Sequence, residues 1–273
     1  MQGLHYKLLV IDIDGTLIGR NKTVSDGNRA ALAKARERGI HVSLSTGRGI
    51  NACLNFIDQL SLDGCHISFD GALVSNHSLN LEVYVRLIDK KVVRRMIEVA
   101  DLHKLNLELY STTRYFAKRE SWSTSAHRDF FGIEPTILDF GGLWERERIL
   151  KGGMVVTSPN EASRAKEFCD QLADEIHFSW VRTPHYPDID FINIMSPGVS
   201  KGNALKALAS HLGFDLGEVI AVGDGTNDIS LLDAAGLAVA MGNAVDEVKA
   251  VADHVTLDVE DNGLAAAIET FLL

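Results

Sequence analysis

The sequence predicts an α/β protein: a parallel-sheet core built from both ends of the chain, with an α+β unit inserted between its halves. Strand and helix patterns alternate from Lys7 to about residue 69 and again from Ser200 to the C-terminus, as right-handed βαβ units require. The stretch between them carries alternating β patterns with helices interspersed, and it holds Trp122, Trp144 and Trp180. Two acidic motifs, one in each half of the core, stand at expected strand ends.

The elements follow in order. Lys7 to Ile13 is an apolar, β-rich run closed by an Asp-Gly turn, which reads as a buried strand. Ser25 suits the N-cap of a helix carrying Ala31, Leu32 and Ala35, and Gly39 stands where that helix must end. His41 to Thr46 is the next strand, followed by a helix near 49–61 and a strand near 65–69. At the far end, Ser200 to His211 is helical, Glu218 to Val222 a strand and Thr226 to Ala235 helical. A strand at 237–241, a helix near 245–252, a strand at 254–257 and a last helix near 262–272 complete the core. In the middle, strands are expected in LEVYVRLI, LNLELY, RYFAK, KGGMVVTS, HFSWVR and DFINIM. The division is therefore 1–82 with 194–273 for the core, and 83–193 for the insertion.

Composition narrows the function classes. The chain has 273 residues, 46% hydrophobic and 23% charged, so core size is not limiting and no disulfide or metal is needed for folding. Net charge is -10 with Lys and Arg scattered, which argues against nucleic acid as the partner but leaves room for a local pocket for one small anion. Cys53, Cys65 and Cys169 have no C-x-x-C spacing and fit neither a disulfide framework nor a zinc site. The opening MQGLHYKLLVIDID lacks a signal-peptide pattern, and no stretch approaches the roughly 20 apolar residues of a membrane span. The expected location is the cytoplasm, with no membrane partner.

Chemistry concentrates at four places. Asp12 and Asp14, in Asp12-Ile13-Asp14-Gly15-Thr16, lie at the C-terminal edge of the first strand, where open α/β sheets place ligands. Residues i and i+2 start on one side of a strand, so both carboxylates are expected to approach a common point. Acids that close need a proton or a cation between them, and hard Mg²⁺ with oxygen ligands is the natural cation. Alone, this pair is also compatible with a solvated turn. Asp224 and Asp228, in Asp224-Gly225-Thr226-Asn227-Asp228, repeat the arrangement after a second buried strand. Ser45-Thr46-Gly47-Arg48 puts a hydroxyl and a glycine turn at a third strand end, suited to phosphate oxygens. Lys201 opens the helix that resumes the α/β pattern and can offer a point charge.

In these motifs the chain resembles the haloacid dehalogenase (HAD) superfamily, and specifically its Cof-like phosphatases with a type IIB cap. DIDGTL (12–17), STGR (45–48), SPGVSKGNAL (196–205) and the long block GDGTNDISLLDAAGLAVAMGNAVDEVKAVADHVT (223–256) match in order and spacing. The resemblance implies a Rossmann-like parallel-sheet core, a substrate-selecting α+β cap and Mg²⁺-dependent hydrolysis of a small phosphorylated metabolite, sugar phosphates foremost. It implies that Asp12 is the nucleophile and a metal ligand, and Asp14 the acid/base, with its backbone carbonyl on the metal. Ile13 through its N–H, Thr46, Gly47, Lys201 and Asn227 would hold the phosphoryl group. Asp224 would bind the metal, and Asp228 would support it.

Elementary electrostatics is compatible with those roles. An ordinary carboxylate is ionised at pH 7, so Asp12 needs no base, but it repels an anionic phosphate unless cations reverse the sign. Asp70-Gly71-Ala72 departs from the usual Asn-Gly-Ala of the family, and Gly49 replaces a common proline. In the insertion, Tyr115, Lys118, His185, Tyr186 and Asp188 are the polar or aromatic residues of interest, and the tryptophans are expected in its core. A sugar phosphomutase, and a non-catalytic phosphometabolite sensor, remain open alternatives.

Overall fold

The computed structural model describes residues 6–183 and 186–273, without the side chains of residues 130–131, 182–183 and 186–187. His185, and the side chain of Tyr186, lie outside the described part. The chain divides into two compact units: 1–48, 53–85 and 200–273 form one, and 49–52 with 86–199 form the other.

The first unit opens with β1 (Leu8–Asp12), α1 (Asp26–Glu37), β2 (His41–Ser45), α2 (Leu54–Gln59), β3 (His66–Ser68), β4 (Leu73–Asn76) and β5 (Leu81–Val85). The second unit follows with α3 (Lys90–Leu102), β6 (Glu108–Tyr110), β7 (Tyr115–Ala117), α4 (Trp122–Phe131) and β8 (Thr136–Ile137). It continues with α5 (Leu143–Arg146), β9 (Lys151–Val156), α6 (Pro159–Leu172), β10 (His177–Thr183) and β11 (Tyr186–Met195). The chain then returns to the first unit with α7 (Lys201–Leu212), β12 (Val219–Gly223), α8 (Ile229–Ala234) and β13 (Leu237–Ala240). Helix α9 (Asp246–Lys249), β14 (His254–Val255) and α10 (Gly263–Phe271) close it.

The first unit is built on one eight-stranded sheet in the order β14-β13-β12-β1-β2-β3-β4-β5. The strands from β14 to β3 are parallel, and β4 and β5 return antiparallel. Every residue of β1 and β12 is buried, as expected of central parallel strands covered on both faces. From β1 the chain winds outward through β2 and β3; after the second unit it winds the other way through β12, β13 and β14. The switch point is therefore the crevice between β1 and β12, beyond their C-terminal ends.

Local signals place the helices. The Ser25 hydroxyl accepts from the Asn28 N–H at 3.1 Å, and Ala31, Leu32 and Ala35 form the buried stripe of α1. Ser200 caps α7 in the same way, accepting from Asn203 N–H at 3.1 Å, and Gly213 ends it in left-handed backbone. Ala204, Leu205, Leu208 and Ala209 turn one face of α7 into the core. Gly202 lies against α8 so closely that a Cβ there would stand 2.0 Å from the Ser230 carbonyl oxygen.

The second unit has its own six-stranded sheet, ordered β10-β11-β9-β6-β7-β8. Its core gathers Leu109, Phe116, Met154, Ile192 and Ile194 from the strands, and Leu107 just before β6, with Met96, Ile97, Phe168 and Leu172 from α3 and α6. The sequence boundaries 82/83 and 193/194 fall instead at 85/86 and 199/200. The reason is strand pairing: Leu81–Val85 pairs with β4 in the first sheet, whereas Met195 still pairs with β9 in the second. LEVYVRLI, read as part of the middle, thus contributes an edge strand to the first unit. Two tryptophans also depart from expectation. Trp122 and Trp180 are 40% and 42% exposed, and Trp144 alone packs against the core. Cys53, Cys65 and Cys169 are buried thiols.

Gly202→Ala is expected to destabilise the protein by about 1–3 kcal/mol, because a backbone carbonyl cannot yield to the new methyl. Urea denaturation of the two proteins measures it; an unchanged midpoint would refute the close approach.

Candidate active site

The four motifs meet where the topology directs them. Asp12 is the last residue of β1, Ser45 of β2, and Gly223 of β12, and Lys201 is the first residue of α7. Lys201 is fully buried, and its Nζ donates to Asp12 Oδ1 at 2.7 Å and to Asp228 Oδ1 at 2.5 Å. The other oxygen of Asp228 accepts from the backbone N–H groups of Asp224 and Gly225 at 3.1 and 3.0 Å, so this buried acid closes the 224–228 turn. Asp224 accepts from the Thr16 hydroxyl at 3.1 Å and from Asn243 Nδ2 at 3.2 Å. Gly15, in left-handed backbone at φ 92°, lets the first loop lie against it; a Cβ there would fall 2.2 Å from Asp224 Oδ2.

Asp12, Asp224 and Asp228 each offer a carboxylate oxygen within 4.8 Å of the others. If all three ionise, Lys201 neutralises one charge and two remain. The donors are all oxygen and the excess is that of a divalent cation, so the residues present fit Mg²⁺ and not a soft metal.

Asp14 does not join this group. Strand β1 ends at Asp12, so the alternation that would put both acids on one side no longer applies. Asp14 is 56% exposed and forms a two-point pair with Arg48, Nε to Oδ2 at 2.8 Å and Nη2 to Oδ1 at 2.5 Å. The expected approach of the Asp12 and Asp14 carboxylates to one point is corrected accordingly. Arg48 also meets the Phe56 ring at 5.5 Å, which helps fix its guanidinium.

Thr46 is buried, and its Oγ1 accepts from the Arg48 N–H at 3.1 Å, a local turn that shapes the loop around Gly47. Asn227 is exposed and donates from Nδ2 to Asp70 Oδ1 at 2.9 Å. Ile13 is buried, and its carbonyl accepts from the Leu17 and Ile18 N–H groups.

Burial and crowding set the charge states. Burial pushes the Asp12 carboxyl well above its ordinary range and Asp228 pushes it further, with Lys201 opposing both. Asp224 is pushed up to about 7 by burial and then by Asp228. Burial would lower the Lys201 ammonium, but Asp12 and Asp228 outweigh it and hold the lysine charged. The expectation that Asp12 ionises as an ordinary carboxylate is thus modified: without a second cation, its surroundings favour the proton.

Four residues in the site had no assigned role in the sequence: Arg48, Asp70, Thr16 and Asn243. All lie inside or beside recognised motifs, which was the available signal. Asn243 donates to Asp224 and to the Gly15 carbonyl, and accepts from the Val259 N–H, tying three loops together. In the second unit, Tyr115 is buried with its hydroxyl on Glu108 Oε1 at 2.8 Å, Lys118 pairs with Asp101, and Asp188 is exposed.

An acidic, cation-fitting centre around a buried lysine, at the switch point of an open, mostly parallel sheet, defines an α/β enzyme. The family model of haloacid dehalogenase-like hydrolases matches residues 9–268, and the chain belongs to that family. It is 30% identical over 285 residues to phosphatase YwpJ of Bacillus subtilis, covering 97% of this chain and all of that one (100%). It is 29% identical over 268 residues to the 5-amino-6-(5-phospho-D-ribitylamino)uracil phosphatase YcsE of the same bacterium, covering 98% and 96%. The crystal structure of a haloacid dehalogenase-like hydrolase from Bacteroides thetaiotaomicron is similar with a TM-score of 0.85 at 29% identity, covering 97% and 99%. Among the described residues, no helix is long and apolar enough to cross a membrane.

The raised acids carry a sign. A carboxyl whose folded-state pKa exceeds its unfolded value stabilises the fold below the unfolded pKa and loses that contribution as pH rises through the folded one. For Asp224 the window runs from about 4 to about 7. Chelator-treated protein is therefore expected to lose thermal stability across that window, and added Mg²⁺ to restore more of it at pH 8 than at pH 5. Lys201→Met, which strands Asp12 and Asp228, is expected to cost about 3–5 kcal/mol at pH 8 and less near pH 4. Melting curves with and without Mg²⁺ check both; a variant equally destabilised at the two pH values would contradict the charge argument.

Proposed function

We propose that the chain is a magnesium-dependent phosphatase acting on small phosphorylated metabolites, sugar phosphates foremost, through an aspartyl-phosphate on Asp12. The observation that carries this reading is the buried Lys201 bridging Asp12 and Asp228 beside Asp224, at the crevice between β1 and β12. The phosphatase names of relatives that match nearly the whole chain support it.

Bound at Asp12, Asp224, the Asp14 carbonyl and, through its support, Asp228, Mg²⁺ would supply positive charge to the phosphoryl oxygens and return Asp12 to its ionised form. The chain's own groups do the rest. Lys201, the Thr46 hydroxyl, Asn227 and the N–H groups of Ile13 and Gly47 bind the phosphoryl oxygens and offset the charge that grows on them. An Asp12 oxygen attacks phosphorus in line, the ester P–O bond breaks, and Asp14 gives its proton to the departing oxygen. Asp14 then takes a proton from water, whose oxygen attacks phosphorus; the bond to Asp12 breaks, and phosphate leaves with the carboxylate restored. For this, Asp14 must exchange Arg48 for the leaving oxygen, and its exposure permits the movement. The second unit, corresponding to the cap implied by the resemblance, selects the leaving group in this reading.

Hydrolysis of p-nitrophenyl phosphate is expected to require Mg²⁺ and to vanish with chelator. Asp12→Asn is expected to lower kcat on the order of a thousandfold or more with the melting temperature little reduced. Parental turnover by that variant would remove Asp12 as nucleophile. A panel of phosphorylated metabolites would identify the substrate class, and release of free phosphate without a bisphosphorylated sugar would exclude a mutase.

A further inference from the structure

Asp70 has no part in the steps above, yet it stands within the same loops. It is buried and held in left-handed backbone at φ 54° in the short turn Phe69–Gly71. Its N–H donates to the Thr46 carbonyl at 3.0 Å, and that of Phe69 to the Arg48 carbonyl at 2.9 Å, so the turn is stapled along the 46–48 loop. Its Oδ1 accepts from Asn227 Nδ2 at 2.9 Å. Its two oxygens lie 2.8 and 3.1 Å from where a Cβ on Gly47 would be, which puts a carboxylate directly against the glycine turn. Asp70 is also among the acids that hold Lys201 charged.

We propose that Asp70 is a positioning residue for Asn227 whose negative charge deliberately loosens the pocket's hold on phosphate, favouring release of the product. The inference rests on reading this site as that of a phosphatase. Two effects can be separated by chemistry. Any acceptor oxygen at this place would hold the Asn227 amide; an amide carbonyl would do so as well as a carboxylate. What the carboxylate adds is charge, and a negative charge against the Gly47 turn, to which the proposed function assigns a phosphoryl contact, opposes every phosphate that binds there. Substrate and product are both affected. Where product departure limits turnover, weaker binding of phosphate is an advantage.

The test is Asp70→Asn, which keeps the acceptor for Asn227, removes the charge and tolerates left-handed backbone. The inhibition constant of inorganic phosphate, measured against p-nitrophenyl phosphate with Mg²⁺, is expected to fall about tenfold, equivalent to ~1.4 kcal/mol. KM is expected to fall with it, so the change appears in binding and not as a gain in kcat. A purely structural role predicts no change in either constant for a folded, near-isosteric variant. Asp70→Ser, also uncharged and able to accept, should move both constants the same way and serves if the asparagine variant does not fold. An unchanged or higher inhibition constant in a folded uncharged variant, with the parent active, overturns this inference alone. A parent that neither hydrolyses phosphate esters nor is inhibited by phosphate overturns the phosphatase reading and this inference with it.

Discussion

The bridge from Lys201 to Asp12 and Asp228 is the interaction on which the rest of the first unit depends. Its three members come from β1, the start of α7 and the turn after β12, separated by 189 and 27 residues along the chain. A buried ammonium is tolerable only with partners, and here both partners are buried acids that are intolerable without it. The strands therefore have to end at one level, and α7 has to begin against them. Close approaches at Gly15 and Gly202 serve that requirement, since a side chain at either place would separate the parts.

The same bridge leaves a deficit. One lysine cannot neutralise three acids, and Asp12 and Asp224 respond by favouring their protons. The deficit of two charges matches a divalent cation, which would remove that repulsion if bound there. The surrounding hydrogen bonds determine which acid stays available. Asp228 spends its oxygens on Lys201 and two backbone N–H groups, so it acts as scaffold, while Asp12, the last residue of β1, accepts from Lys201 at Oδ1.

Polar burial of another kind organises the second unit. Glu108 accepts from the hydroxyls of Tyr110 and Tyr115, whose rings stack at 4.9 Å, and Tyr110 meets His127 on α4 at 3.0 Å. Gly153 on β9 leaves space for Tyr110, whereas its neighbour Gly152 faces Met96 on the opposite side of the sheet. The period of two thus separates a hydrogen-bonded face from the apolar one.

Much of this was legible in the sequence, for identifiable reasons. Caps such as Ser25 and Ser200 are local devices, and buried parallel strands such as β1 and β12 declare themselves by continuous apolar runs. The acids, the hydroxyl and the lysine could be chosen by residue type at strand ends. Pairing could not. The alternation in LEVYVRLI suits either sheet, and only its bonding to β4 assigns it; Trp122 and Trp180 are large and apolar, but their exposure depends on what covers them. By itself, the sequence determined which chemical groups stand at the edge of the sheet. Only the tertiary structure decided which of them meet: Asp12 with Lys201 inside, Asp14 with Arg48 outside. The strand stops at Asp12, and beyond its last residue the position of a side chain is set by contacts distant in the chain, for which no local pattern exists.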